Sequence, residues 1–492
     1  MIPHPSPASA RLRTFGRTVG AMALTAFIAA GALLGGASVA TAADDTEKYV
    51  IGTDTTFAPF EFTSPEGDLV GIDMDLLRAI AEDQGFEVEI RQLGFDAALQ
   101  ALQSNQVDAV MAGMSITDER QQIFDFSDPY FTSGIQLGVL ESSDIQSLDD
   151  LDGKTVAVKT GTQGQTFAEE NQDEYGFRVT PYSDTTDMVD AVKAGQAVGY
   201  FEDFPVLAYG IQQGSGFRLV GEPELGGEYG FAVNKGQNPD LIEKFNAGLA
   251  NLQESGEYDE IVDTYLAGGE ETTQATDIFS VAVKYWPALM EGLWLTILAT
   301  IVALVAAFIL GIVFGFGRIS KFLPFRWLAT AYVFVFRGTP ILVQAFFVFF
   351  AIPQLIPEIT FNPFVAGAIT LSLNTGAYMT EIIRGGIQAV DPGQNEASRS
   401  LGLGHWKTMQ KVVLPQAFRI MIPSFVNQGI ITLKDTSLIS VIGLAELTFV
   451  SRQIIASTYL SAQVLTIVAI IYFVVITLLT LLANRLERKF TA

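Results

Sequence analysis

The densest concentration of chemistry-bearing side chains is GMSITDERQQIFDFSDPY, residues 113–130. Arg120 follows a small-residue strand end and a turn carrying Ser115 and Thr117, so backbone N–H, hydroxyl and guanidinium donors can converge there. A planar guanidinium fork matches a carboxylate through two parallel hydrogen bonds. The competing reading is a surface ion pair between Arg120 and Asp125 or Asp128, which spacing alone leaves open. Other chemistry is thinly represented. The chain has no Cys, and its two His are His4 and His405, which excludes disulfides, thiol catalysis and the usual zinc sites. No G-x-S-x-G or paired-acid motif stands out, so no catalytic residue and no metal ligand is assigned. The GKT at 153–155 has Leu148 where a phosphate-binding loop needs Gly, and it reads as the start of a strand.

The elements that must hold Arg120 follow from hydrophobic periodicity. YVIGTD reads as a strand, DMDLLRAIAEDQG as a helix stopped by Gly85, FEVEIRQL as a strand, FDAALQALQSNQ as a helix and VDAVMAG as another strand. Such alternation predicts an α/β fold with ligands at strand C-termini. GKTVAVKTG opens a second series, so two lobes are expected: lobe 1 over about 47–132 and 230–266, lobe 2 over about 138–225. The crossings near 132–139 and 228–233 would form the hinge.

Charge divides the 492 residues further. Residues 44–271 hold 45 Asp and Glu against 11 Lys and Arg, whereas 277–492 hold 9 against 15. The net charge of -25 argues against a nucleic-acid partner, which needs clustered basic residues. Arg11, Arg13 and Arg17, an apolar run and the small residues Ala40, Thr41 and Ala42 predict a signal peptide over 1–42, the alternative being an uncleaved anchor helix. A solute-accessible domain over 43–266 then leads into a small, polar tether at 267–277, spanning at most ~33 Å. Residues 278–492 form the membrane domain, with spans near 290–316, 327–353, 364–383, 420–444 and 460–483. FRGTP interrupts the second and LKDTS the fourth. Five spans put Arg318, Lys321 and Arg326, then Arg399, Lys407, Lys411 and Arg419, then Arg485, Arg488 and Lys489 in the cytoplasm, satisfying the positive-inside rule. The chain is thus expected in the plasma membrane, among lipid, with its acidic domain outside and its C-terminus inside.

One cytoplasmic stretch, DPGQNEASRSLGLGHWKTMQKVVLP (391–415), is a capped helix with a stop. Asp391 is the expected N-cap, Pro392 N1 and Gln394 N3. Ala397 and Leu401 share a face, and Gly402 can take the left-handed turn before a second helix from about His405.

Four motifs, GTDTTFAPFEF, GIDMDLLRAIAE, MAGMSITDERQQIFDFSDPY and LDGKTVAVKTGT, resemble in order those of the polar-amino-acid solute-binding proteins, particularly the glutamine-binding type, over about 48–266. The resemblance implies a type II periplasmic-binding-protein-like fold whose lobes close on one amino acid. Carried over by position, Arg120 with Gly113 and Ser115 would hold the α-carboxylate, Asp203 the α-ammonium, and Phe57 and Phe95 would sandwich the side chain. Asp54 and Lys159 would set specificity, with Thr162 closing the carboxylate end. A carboxylate acceptor beside an ammonium donor suits a primary amide, which ranks glutamine first, then glutamate and asparagine. Gln163 and Glu202 depart from the glutamine-binding pattern. Glu202 either readmits a basic ligand or points to solvent.

RGTPILVQ, GAYMTEIIRGGI and EASRSLGLGHWKTMQKVVLPQAF resemble the permease of polar-amino-acid ABC importers over essentially 280–492, an all-α domain of about five transmembrane helices. EASRSLGLG resembles that family's cytoplasmic EAA loop, with Glu396, Gly402 and Pro415 at its characteristic positions. The resemblance implies a cytoplasmic ATPase subunit carrying ATP and Mg, docked on Glu396, Ala397, Leu401 and Gly402, and a permease homodimer. The chain itself would bind no cofactor. Asn374, Glu381 and Lys434 are candidates for the translocation path, with helix packing as the plainer reading and the one preferred for Arg337 and Arg384. A ligand-gated channel or sensor of glutamate-receptor type is disfavoured: its binding domain would be split around a pore loop, and this one is uninterrupted.

Overall fold

The computed structural model describes residues 47–266, 277–356 and 359–491. The expected signal segment and nearly all of the expected tether lie outside those residues. The strands are β1 (Lys48–Thr53), β2 (Thr56–Phe57), β3 (Glu61–Thr63), β4 (Leu69–Val70), β5 (Glu87–Gln92), β6 (Ala109–Val110), β7 (Phe124–Phe126), β8 (Phe131–Leu140), β9 (Thr155–Lys159), β10 (Arg178–Tyr182), β11 (Gly199–Asp203), β12 (Phe217–Tyr229) and β13 (Ala232–Asn234). They form two five-stranded sheets, ordered β5-β1-β6-β13-β7 and β10-β9-β11-β8-β12, and a small sheet β2-β3-β4.

Each large sheet mixes parallel pairs, bridged by helices, with antiparallel ones. The helices are α1 (Ile72–Gln84), α2 (Phe95–Gln103), α3 (Gln163–Tyr175), α4 (Thr185–Lys193), α5 (Phe204–Gln212), α6 (Pro239–Ser255) and α7 (Glu257–Leu266). Lobe 1 buries Ile51 of β1 against Leu76 and Ile80 of α1 and Phe245 of α6; lobe 2 buries Val156 and Val158 of β9 with Leu137 and Phe201. Two strands run between the lobes. β8 and β12 pair antiparallel from Leu140↔Phe217 to Phe131↔Tyr229, with register breaks between Val220 and Glu224 and between Leu225 and Gly227. Such breaks bend a ribbon, and this one joins lobe 2 to β13 of lobe 1.

The second half is helical: α8 (Ile278–Lys284), α9 (Trp286–Ile319), α10 (Leu323–Gly338), α11 (Ile341–Phe346), α12 (Ile352–Leu355), α13 (Pro363–Gln388), α14 (Pro392–Ser400), α15 (His405–Thr408), α16 (Leu414–Ile439), α17 (Leu447–Thr458) and α18 (Ser461–Thr491). Single π-turns at Phe347–Ala351 and Met409–Val413 join α11 to α12 and α15 to α16. Among the described residues, α9 and α18 are each long and apolar enough to cross a membrane, and up to four spans result if each bent helix pair counts as one. α13 has 26 residues, about 39 Å of helix. It is largely enclosed by its neighbours, which lets it carry Ser372, Asn374, Thr375 and Thr380.

Two details differ from the sequence reading. The second span is not one helix, because α10 and the α11–α12 pair meet at 108°. Pro340 lacks an N–H and forces the preceding Thr339 into extended backbone. LKDTS, by contrast, does not interrupt the fourth span, since Lys434 to Ser437 lie inside α16 and the 51° bend comes after Ile442.

Close packing of α9 on α13 rests on small residues every fourth position. Ala299, Ala303, Ala307, Gly311 and Gly315 are all buried. A Cβ at Gly311 would meet Met379 Cβ at 2.7 Å, and one at Gly315 would meet Ile383 Cγ2 at 2.8 Å. Small residues let membrane helices approach this closely. At the other end of the domain, α17 lies against β2 and β3 of lobe 1 and α4 of lobe 2.

Candidate binding site

The cleft between the lobes collects the expected ligand residues. Phe57, Phe95, Gly113, Ser115 and Arg120 line it from lobe 1, and Lys159, Thr162 and Asp203 line it from lobe 2. Asp54 stands behind them, bonded to Lys159.

Arg120 begins a short 3-10 turn, and its N–H donates to Thr117 Oγ1 at 3.2 Å. Nη1 donates to Ser115 O and Nη2 to Gly161 O of lobe 2, each at 2.7 Å. The guanidinium thus spends these donors on backbone carbonyls, and Asp125 pairs with Lys235 at 2.7 Å instead. The guanidinium carbon sits 5.5 Å from the Phe95 ring centre, and burial pulls its pKa down to about 10, so it stays charged at neutral pH. Gly113 has φ +53°, and a Cβ there would be 2.3 Å from the Phe57 ring. Only glycine lets that ring lie flat on the strand end. The Gly113 N–H donates to Asp73 Oδ2 at 2.8 Å, and Tyr130 OH donates to the same oxygen at 2.7 Å.

Asp203 ends β11 as the residue before α5. Its Oδ1 accepts from Ser133 Oγ on β8 at 2.8 Å and from Tyr229 OH on β12 at 2.5 Å. Both crossing strands therefore meet on this carboxylate. Burial pushes its pKa up, against those two hydrogen bonds.

Lys159 ends β9 and is 2 % exposed. Its Nζ donates to Asp54 Oδ2 across the cleft and lies 5.3 Å from the Phe57 ring centre and 5.8 Å from that of Phe95. Asp54 Oδ1 accepts from Thr55 N at 2.6 Å and from Thr56 N and Oγ1 at 3.1 and 3.0 Å. Asp54 and Lys159 thus pair with each other. Burial disfavours the Lys159 ammonium, but Asp54 and Glu202 outweigh it and its pKa is raised. Glu202 does not point to solvent: it is 1 % exposed, and burial followed by the Asp203 charge lifts its pKa to about 8. Burial and Asp73 push the Glu61 carboxyl well above the ordinary range. Thr162 caps α3, accepting from Gln165 N at 3.4 Å and donating to Lys159 O at 2.8 Å.

In the helical half, Asp391 caps α14, its carboxylate accepting from Gly393 N at 2.6 Å. Gly402 takes φ +83°, a backbone state that ends the helix cheaply only for glycine. Glu396 and Ala397 are exposed on α14, and Leu401 follows it, 83 % exposed. Trp406, 64 % exposed, lies one turn further on. Asn374 Nδ2 donates to Phe336 O and Gln344 Oε1, both at 3.1 Å. Glu381 accepts from Arg318 Nε at 3.0 Å and from Arg384 Nη2 at 2.7 Å. Lys434 is exposed on α16. The Arg337 guanidinium stacks 4.9 Å from the Tyr378 ring centre.

Residues 49–268 match the family of bacterial extracellular solute-binding proteins, family 3. Residues 307–492 match the binding-protein-dependent transport system inner membrane component. The chain is 40% identical over 211 residues to the arginine transport system permease protein ArtQ of Bacillus subtilis (strain 168), covering 43% of this chain and 96% of that protein. It belongs to both families, joined in one chain. The permease domain is also 38% identical over 207 residues to the glutamine transport system permease protein GlnP of Escherichia coli (strain K12), covering 42% of this chain and 94% of that protein. The binding domain is similar to the crystallised substrate binding domain 2 of Lactococcus lactis GlnP in its open conformation, with 43% identity, 47% of this chain, 100% of that chain and a TM-score of 0.37.

Several binding-domain residues escape sequence reasoning. Ser133 and Tyr229 reach Asp203 only because β8 and β12 pair, and Asp73 supports Gly113 from 40 residues away. The available signal was faint: Asp73 interrupts the apolar face of α1, where a buried acid demands a partner. In the permease domain, no local rule marks Trp406 for the exposure that it has.

Proposed function

We propose that this chain is the receptor and permease subunit of an ATP-driven importer for a polar amino acid, glutamine first, with glutamate, asparagine or a basic amino acid as alternatives. The observation that carries the reading is the convergence of Arg120, Asp203 and the Phe57 and Phe95 rings on one interlobe cleft. Arg120 has five N–H donors and uses two on backbone carbonyls, so donors remain for an α-carboxylate beside Gly113 and Ser115. Asp203 takes the α-ammonium. The two rings cover the side chain.

The far end of the cleft supports an uncharged side chain. Lys159 and Asp54 compensate each other, Glu202 with its pKa of about 8 is protonated at neutral pH, and burial pushes the Glu61 carboxyl well above the ordinary range. A further full charge buried there would lack a partner, whereas an amide offers both donor and acceptor. Import needs energy from a partner ATPase that carries the ATP and Mg, and the exposed Leu401 and Trp406 beside the capped α14 support that docking site. Two such permease chains form the pore. The binding domain faces outward from the cell membrane and the C-terminus faces the cytoplasm.

Calorimetry of the full chain in lipid nanodiscs against the twenty amino acids tests this. Heat is expected with glutamine, and silence with all twenty would defeat the proposal. Arg120→Ala should cost about 2–5 kcal/mol of binding for every ligand, as truncating one partner of a buried charged pair does.

A further inference from the structure

Among the described residues the permease domain meets the binding domain at Ala288 and Glu291 beside Gly67, at Gly443 beside Gln92 and Leu93, and most extensively through α17 and the residues after it. α17 is braced at its start, where the Glu446 carboxylate accepts from Phe449 N at 2.8 Å and from Tyr472 OH of α18 at 3.0 Å. On lobe 1, Gln453 Nε2 donates to Gln92 Oε1 at 3.1 Å. On lobe 2, Arg452 Nη1 donates to Asp184 Oδ2 at 2.7 Å, Thr186 Oγ1 donates to Arg452 O at 3.2 Å, and Ser461 Oγ bonds Asp190.

Tyr459, just after α17, is the centre of this contact. Its φ is +60°, a conformation that a bulky residue keeps only where its surroundings fix it. Its ring is buried among Tyr200, Leu207 and Phe217 of lobe 2. Lys193 Nζ donates to Tyr459 O at 2.7 Å and lies 5.5 Å from the ring centre. A Cβ at Gly210 would stand 2.5 Å from the Tyr459 hydroxyl oxygen, so the ring tip fills a notch left open by a glycine.

We infer that permease residues 446–461 are the dock for the closed binding domain, with Tyr459 as its anchor. The inference rests on the receptor-permease reading above. In this docked geometry Lys159 reaches Asp54 and Arg120 reaches Gly161 from one lobe to the other. A braced helix that holds Gln92 of one lobe and Asp184 and Asp190 of the other satisfies both at one lobe separation only. Ligand that closes the lobes therefore favours docking, and docking raises ligand affinity by the same factor.

The absence of native Cys permits a direct test in the full chain in nanodiscs. Asp190→Cys with Ser461→Cys, carrying a protease site between 267 and 277, should form an oxidant-dependent link that holds the two halves together after cleavage. Lys154→Cys with Ser461→Cys is the control and should not link. Glutamine, or whichever amino acid binds by calorimetry, should speed linking about fivefold or more. Tyr459→Ala should slow linking and weaken ligand affinity, while Tyr459→Phe keeps both. Linking no faster than the control overturns the dock, as does a rate indifferent to an amino acid that measurably binds. If no amino acid binds, the import reading falls separately; linking of 190 to 461 above the control still supports the dock, and its absence overturns it.

Discussion

Beside the Lys159 ammonium, the Glu202 carboxyl is held neutral at pH 7 by its burial and by Asp203. Its pKa of about 8 lies above the ordinary carboxylate value, so the group is protonated below that pH and gains a negative charge above it. Raising the pH from 7 to 9 should therefore move ligand preference from glutamine toward arginine, by up to about tenfold if the new charge contributes ~1.4 kcal/mol. Competition binding across that range reads the ratio, and Glu202→Gln should flatten it. Lys159→Met makes the complementary change: with the ammonium gone, Asp54 lacks its partner across the cleft, and basic amino acids should rise in rank at pH 7. Equal loss for all ligands would remove Lys159 from the specificity set.

At the scale of elements, regular periodicity made most of the architecture legible. Gly85 ends α1 in the left-handed conformation, with its N–H on Ala81 O, and Asp391, Pro392 and Gly402 begin and end α14 as local capping rules require. Long-range pairing was not legible, since nothing local announces that Tyr229 will face Asp203. Nor did composition forecast the continuous helix through LKDTS, where the side chains of Lys434 and Ser437 extend from a backbone that keeps its own hydrogen bonds. Two substitutions test the elements. Gly402→Asp puts a side chain at φ +83° and a charge beside Leu401, so ligand-stimulated ATPase activity of the assembled importer should drop several-fold while ligand binding holds. Gly311→Val drives a side chain into Met379. Overpacking of this kind costs about 1–3 kcal/mol, visible as a lower midpoint in thermal unfolding and loss of the monodisperse peak in size exclusion.

For the whole molecule, the expected tether and the proposed dock act together. With residues 267–277 as the linker that the sequence predicts, the effective concentration is of order mM, so docking of the ligand-closed domain is populated and import should be limited by ligand capture or lobe closure. Titrating soluble binding domain into transporting vesicles should leave the rate unchanged; a falling rate would show that free receptors displace the tethered one. Between the α14 segment and the dock runs a nearly continuous rod, α15 to α16, bending into α17. The π-turn at Met409–Val413 means that this rod carries one residue more than a regular helix of the same reach. Deleting a residue there leaves both ends facing as they do now, whereas deleting one elsewhere in the rod turns one end by about 100° relative to the other. Along the rod from His405 to Ile439, chain length is therefore free to vary at that one turn.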